Sequence, residues 1–311
     1  MAKPSYLKLH ENGEFRKRWE QALRLLNSCS LCPRECGVNR LRDEKGFCRT
    51  GRFARIASFN AHFGEESPLV GRNGSGTIFI SSCNLLCSFC QNKEISHGNE
   101  GHEAGPEQIA SMMIRLARSG CHNINFVTPS HVVPQLLEAL APAIPQGLDV
   151  PLVYNSSGYD KKETLKLLEG IFDIYMPDFK FWDGKWAERY CGAADYPGFA
   201  AEAVREMHRQ VGDLVLDSEG IAERGLLLRH LVMPGGIGGT GEIMKFLAEE
   251  ISPDTYVNIM DQYRPCGDAI RDAYLGRRLT AEEYRTALSC AAGVGLKRLD
   301  SRERARVFFR L

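Results

Sequence analysis

Apolar residues recur along this chain in two alternating rhythms. Near-continuous apolar runs occupy residues 77–82, 122–128, 150–155, 171–176, 226–233 and 255–261, as expected of strands buried on both faces of a parallel sheet. Between them the spacing changes to i, i+3, i+4, i+7, the period of an amphipathic helix. It appears at Ile109/Met112/Met113/Leu116, Val133/Leu136/Leu137/Leu140, Ala200/Ala203/Val204/Met207 and Tyr284/Ala287/Leu288/Ala291. Strand–helix alternation of this kind predicts an α/β protein whose helices cover a parallel sheet. The run count favours a partial (β/α)6 TIM-like barrel over the eight-stranded form, with a doubly wound open sheet as the structural alternative. A short amphipathic helix is expected over 14–27, and Gly71 to Gly76 reads as a turn into the first strand. The rest of 53–76 is rich in glycine and polar residues and receives no element. Residues 263–279 lack a clean period and are expected to cross the barrel mouth before the last helix.

Composition narrows the class. Of 311 residues, 43% are hydrophobic and 25% charged, ordinary values for a soluble globular protein. Lys+Arg and Asp+Glu balance at 39 each, so no global field draws the chain to nucleic acid or an anionic membrane. No apolar run approaches the roughly 20 residues of a membrane helix, and the first residues lack the apolar core of a signal peptide. With eleven cysteines clustered mainly in metal-like spacings, a reducing compartment, the cytoplasm, is expected, with no nucleic-acid or membrane partner.

The cysteines change the picture most. Cys83, Cys87 and Cys90 form C-x3-C-x2-C directly after the first apolar run, with Phe89 before the last thiol. Thiolates are soft ligands suited to iron–sulfur or zinc sites. A 4Fe–4S cube normally takes four cysteines; three would leave one iron open to a small molecule that chelates through an amine and a carboxylate. Upstream, Cys29, Cys32, Cys36 and Cys48 follow C-x2-C-x3-C-x11-C, a closed tetrathiolate pattern for zinc or for a second 4Fe–4S cube. Spacing does not choose between them. The chain divides into a helix and Cys-rich extension over 1–68 and a barrel with its C-terminal helix over 69–311.

Other candidates sit at strand ends, where barrel side chains face the active site: Thr128, Asn155, Asp178, Met233 and Asp261. Asp178 and Lys180 are two apart, so on a strand they share a face and can pair. Arg229 lies inside an apolar strand, where an unpaired charge is costly; a protein partner and the carboxylate of a substrate or cofactor are both open to it. Gly236 to Gly241 matches G-x-G-x-x-G but follows the fifth strand rather than the first, and is expected to be a loop at the barrel mouth whose amides could touch a ligand. His62 reads as a structural residue. Cys121, Cys191, Cys266 and Cys290 are isolated and expected to pack.

The cysteine loop resembles the signature of the radical S-adenosylmethionine (SAM) superfamily. The segments 154–159, 175–180 and 228–235 resemble successive strand ends of its glycyl-radical-enzyme activases, such as pyruvate formate-lyase activating enzyme. The whole chain resembles the PflX-like branch, through Leu31 to Arg34, His62 to Glu66, Asn123 to His131 and Tyr256 to Pro265. The resemblance implies the partial barrel of the radical SAM type. It implies a 4Fe–4S cluster on Cys83, Cys87 and Cys90, with Phe89 near the adenine of SAM. Asn155 and Ser156 fall where activases have an Asp-Thr pair near SAM and a monovalent cation; Asp178 and the Met176 carbonyl would complete that cation site, with Lys180 beside it. The usual Gly-Gly-Glu is replaced by Val127 to His131 here, so a Thr128 or Ser130 hydroxyl or a backbone carbonyl must serve the SAM amino group. The activase histidine near the last strand is replaced by Gln262 to Arg264. Implied too are an external electron donor of flavodoxin or ferredoxin type, low-oxygen conditions, and a protein substrate if the activity is activase-like. A small-molecule or peptide-modifying enzyme and a non-catalytic iron–sulfur carrier or redox sensor remain the alternatives.

Overall fold

A computed structural model describes residues 3–98 and 100–300. Its strands are β1 (Ala54–His62), β2 (Ser75–Ile80), β3 (His102–Ala104), β4 (Ile124–Val127), β5 (Leu152–Ser156), β6 (Ile174–Pro177), β7 (Val215–Leu216), β8 (Ala222–Leu231) and β9 (Tyr256–Met260). They form one sheet in the order β3-β1-β2-β4-β5-β6-β8-β7, with β9 also paired to β8. The succession β2-β4-β5-β6-β8-β9 is parallel throughout, and each of its members overlaps one of the apolar runs. β1 is antiparallel to β2, and β3 to β1. Among the described residues no pairing joins β9 back to β2, so the sheet is not closed. The protein is a mixed α/β fold around one large central sheet.

Each long helix arises where the helical period predicts it: Pro106–Arg118, Val133–Ala143, Tyr196–Val211 and Ala281–Gly293. Their apolar stripes, such as Ile109, Met113 and Leu116, are buried against the sheet, which is how an amphipathic helix gains most of its stability. β5 is buried at every position, explaining why it shows no alternation. No helix among the described residues is long and apolar enough to cross a membrane.

Two elements differ from the sequence reading. β1 lies in the stretch left without an element, because at the sheet's antiparallel margin only its first part is buried, at Ala54 and Ile56, and the rest is partly or fully exposed. The helix expected over 14–27 forms as Glu14–Arg24, and a further, unexpected helix, Ser5–Glu11, precedes it; the two are separated at Gly13, whose φ of 77° breaks the helical path. The sheet takes in residues on both sides of position 68, since β1 pairs along most of its length with β2. The N-terminal segment is anchored to the sheet layer by Tyr6, whose hydroxyl donates to the Val150 carbonyl at 3.0 Å, and by Thr164, which donates to the Leu31 carbonyl at 2.7 Å.

Candidate functional site

Beyond β2 the backbone turns through Ser82, at φ 74°, into the cysteine loop, and turns again at Leu86, at φ 53°. The loop is pinned from outside: Asn84 Nδ2 donates to the Tyr159 carbonyl at 2.7 Å, Ser88 N–H to the Tyr190 carbonyl at 2.8 Å, and Asp268 N–H to the Ser88 carbonyl at 3.1 Å. The 263–279 segment therefore does rest on this loop. Two donors reach the sulfurs themselves, Leu85 N–H to Cys83 at 3.3 Å and the Ser96 hydroxyl to Cys90 at 3.2 Å. All three thiols line one cavity of about 240 Å³. Burial pushes the Cys83 thiol up to about 12 and also raises Cys90. The Cys191 thiol and burial hold Cys87 well above its ordinary value. Protonated thiols are poor nucleophiles, and a bound metal would displace those protons.

Cys191 is buried in the core as expected, but it is not isolated. Its Sγ lies 3.3 Å from Cys87 Sγ, brought there by the helix Gly184–Cys191. It does not line the cavity, so it approaches Cys87 from the protein side.

Across the cavity stand the strand-end residues. Phe89 packs edge-on against Phe181 and Tyr190. Thr128 takes φ 65° and donates its N–H to the Asn155 carbonyl at 2.9 Å. Asp178, Lys180 and Arg229 form one buried network: Arg229 Nε reaches Asp178 Oδ1 at 2.8 Å, Arg229 Nη2 reaches Asn155 Oδ1 at 2.7 Å, and Lys180 Nζ bonds Asp178 Oδ2. Burial pulls the Asp178 carboxyl upward, but the guanidinium and ammonium outweigh it and hold it below the ordinary range. For Lys180 and Arg229 burial works against the charge, and the Asp178 carboxylate keeps both above their usual values. Arg229 thus has protein partners, and both Asp178 oxygens already face side-chain cations. Ser156 donates to Asp160 at 2.7 Å and accepts from Gly158 N–H at 3.1 Å. Ser130 is not brought to the cavity: it is buried beside Tyr154 and Asp160, because the left-handed turn at Thr128 ends the strand alternation.

The four upstream cysteines also converge. Cys29, Cys32, Cys36 and Cys48 line a small closed pocket with Arg40 and His131. Arg40 is 1% exposed; it donates to the Gly51 carbonyl at 3.1 Å and the His131 carbonyl at 2.7 Å, and Nη1 lies 3.8 Å from Cys29 Sγ. Phe47 N–H points at Cys36 Sγ at 3.3 Å. At Gly46 a Cβ would stand 2.7 Å from that sulfur, so only glycine fits. Arg34 ties this knuckle to the other loop by donating to the Asn84 and Cys191 carbonyls at 3.0 and 2.9 Å.

Strain marks the same places. The non-glycine residues with positive φ among the described residues are Glu35, Asp43, Arg49, Ser82, Leu86 and Thr128, all within the two cysteine segments or at the end of β4. Such backbone costs about 1–3 kcal/mol per residue and persists where surroundings impose it, often at functional sites. The Gly236–Gly241 loop, expected at the mouth, instead borders a separate pocket with Arg277 and Glu283, and the neighbouring Gly235 N–H donates to Glu283 at 2.7 Å. Among the described residues no three Cys, His, Asp or Glu side chains gather tightly enough to hold a single metal ion.

No protein-family model matches the sequence. The chain is 34% identical over 280 residues to the uncharacterized protein MJ0674 of Methanocaldococcus jannaschii, a match spanning 88% of this chain and 76% of that protein. At that identity and coverage, the chain belongs to the same family as MJ0674.

Proposed function

We propose that the protein is a radical SAM enzyme on a partial (β/α)6 barrel, and that it abstracts hydrogen from its substrate. The observation that carries the reading is the convergence of Cys83, Cys87 and Cys90 on one cavity with side chains from successive parallel strand ends. The donor set suits a 4Fe–4S cube. Three soft thiols face the cavity. When bound, the cube would pass one electron to SAM and split it into methionine and a 5′-deoxyadenosyl radical.

The chain's own residues supply the rest. Phe89 offers an aromatic face to the adenine, and the left-handed turn at Thr128 presents backbone at the cavity in place of a carboxylate. Lys180, with one carboxylate partner and three N–H donors, is the cation with donors to spare for the SAM carboxylate. Arg229, itself held by the Asn155 amide oxygen, and Lys180 keep Asp178 in place, and their positive charges do the work that a monovalent cation would do. The closed four-thiol pocket, built round a buried guanidinium, offers thiolates to zinc or to a second cube; an external flavodoxin- or ferredoxin-type donor would supply the electrons.

The test is anaerobic reconstitution with iron and sulfide, followed by dithionite and SAM. Release of 5′-deoxyadenosine and methionine by the wild type, and none by Cys87→Ala, is the expected result. Bound iron without any SAM cleavage would favour an electron carrier instead. Metal analysis of the chain lacking Cys83, Cys87 and Cys90 identifies the metal of the upstream site.

A further inference from the structure

The approach of Cys191 to Cys87 is imposed by the backbone. The residues flanking the two thiols are bonded to each other, Ser88 N–H donating to the Tyr190 carbonyl at 2.8 Å. Arg34 holds the Cys191 carbonyl at 2.9 Å. The Asp183 carboxylate caps the helix that carries Cys191, accepting from Lys185 N–H at 2.8 Å. The two Sγ atoms are left 3.3 Å apart, a short closure from the roughly 2.05 Å of a disulfide bond. Both thiols are free, and they differ in access. Cys87 lines the thiol cavity and Cys191 does not, so a small molecule that enters meets Cys87 first and finds Cys191 behind it. Cys83 and Cys90 line the same cavity, but their sulfurs accept from Leu85 N–H and the Ser96 hydroxyl. A cysteine open to a cavity with a second thiol in contact behind it has the arrangement of an oxidisable thiol and its resolving partner.

We propose that Cys87 and Cys191 form a reversible disulfide when hydrogen peroxide reaches the site while it holds no cluster, and that this keeps Cys87 from irreversible oxidation. In the first step the Cys87 sulfur takes a hydroxyl from peroxide; the O–O bond breaks, and the other hydroxyl leaves as water with the thiol proton. In the second step the Cys191 sulfur displaces the hydroxyl on Cys87, which leaves as water with the Cys191 proton, and the S–S bond forms. Peroxide gains the two electrons that the two thiols lose. Without Cys191, a second peroxide carries the sulfenic acid on to sulfinic acid, which dithiols do not reverse. A dithiol reduces the disulfide by exchange and frees Cys87 to act as a ligand again. Burial and the neighbouring thiol keep the proton on Cys87, so the first step is slow and needs peroxide in excess. The chemistry needs the two thiols alone; only its use, preserving a cluster ligand, rests on the radical SAM reading.

The test treats the metal-free full chain with excess hydrogen peroxide, blocks remaining thiols with N-ethylmaleimide, and maps the digest by mass spectrometry. The expected product is a pair of peptides joined through Cys87 and Cys191, which dithiothreitol separates, returning a Cys87 thiol that can be alkylated. Cys191→Ser under the same treatment should carry sulfinic acid at Cys87 and regain no alkylatable thiol there. A second variant, Cys83→Ser with Cys90→Ser, removes the other cavity thiols and should still give the Cys87–Cys191 pair. The wild-type map decides the pairing even if a variant fails to fold. A wild-type link from Cys87 to Cys83 or Cys90, no link at Cys87 at all, or sulfinic acid at Cys87 forming as fast in the wild type as in Cys191→Ser would overturn the proposal. A Cys87–Cys191 link in a protein that never cleaves SAM would leave this chemistry standing and sink only the radical reading.

Discussion

The molecule holds two cysteine sites that differ in one respect, whether the polypeptide closes them. Cys29, Cys32, Cys36 and Cys48 surround a pocket of about 10 Å³ stoppered by Arg40, whereas Cys83, Cys87 and Cys90 open on a cavity large enough for a small molecule. Sites that keep an open position do chemistry and closed ones hold structure, a distinction well attested for zinc. Here the contrast is local. Arg34 spans the two loops directly, so the closed site also braces the open one.

Cys191 offers the sharpest way to break that contrast. If it were a fourth ligand, the open site would be closed. The largest expected effect is therefore a pair: Cys87→Ala loses the cluster iron of its loop and all SAM cleavage, while Cys191→Ser keeps both. Iron analysis and 5′-deoxyadenosine release check it, and loss of iron in Cys191→Ser would mean that the two sites are alike.

Next comes the stopper of the closed site. Arg40→Leu leaves the Gly51 and His131 carbonyls without their buried donor, and we expect a loss of about 4 kcal/mol in unfolding experiments. The thiol loop after β2 should still bind iron in the folded fraction. If Arg40→Leu were neutral, the closed pocket would not be a stabilising element.

On the open side, β8 turns Arg229 into the cavity and His230 to the opposite face. His230 donates from Nδ1 to the Phe179 carbonyl at 2.7 Å, and its Nε2 lies 2.8 Å from the Thr240 hydroxyl. Burial lowers its pKa from 6.5 to about 4. The unfolded chain then takes up a proton that the folded one refuses, so the contribution is complete above pH 6.5 and is lost as pH falls toward 4. That amounts to roughly 3 kcal/mol at most. His230→Asn, which keeps the donor to Phe179, should flatten the stability–pH slope over that interval by about one proton; an unchanged slope would refute the assignment.

The smallest effect concerns strain at the open site. Glycine adopts φ 65° without penalty, so Thr128→Gly is expected to be neutral or stabilising by up to about 1 kcal/mol. If SAM affinity survives this change, measured by equilibrium dialysis, the backbone and not the hydroxyl is what Thr128 contributes. A loss of affinity with stability intact would give the role to the hydroxyl.

Much of this was legible in the chain. The six parallel strands could be read because burial on both faces demands uninterrupted apolar residues. The Asp178–Lys180 pair followed from the two-residue period of a strand, and the pairing of Arg229 from the cost of an isolated buried charge. β1 was not legible, since a strand buried only over its first part tolerates polar residues and small ones alike. Ser130 was placed at the site by the resemblance, where the superfamily carries Gly-Gly-Glu, and the left-handed turn at Thr128 takes the chain away from the cavity before it.

The sequence by itself determined the alternation of elements and the two groups of thiols, because periodicity and spacing are local properties of a chain. Only the tertiary structure decided that Cys191 meets Cys87, that Glu66 reaches Asn258 on β9, and that the glycine-rich loop faces elsewhere. Those juxtapositions join residues up to 192 positions apart, and they depend on which strand lies beside which, something no local pattern encodes.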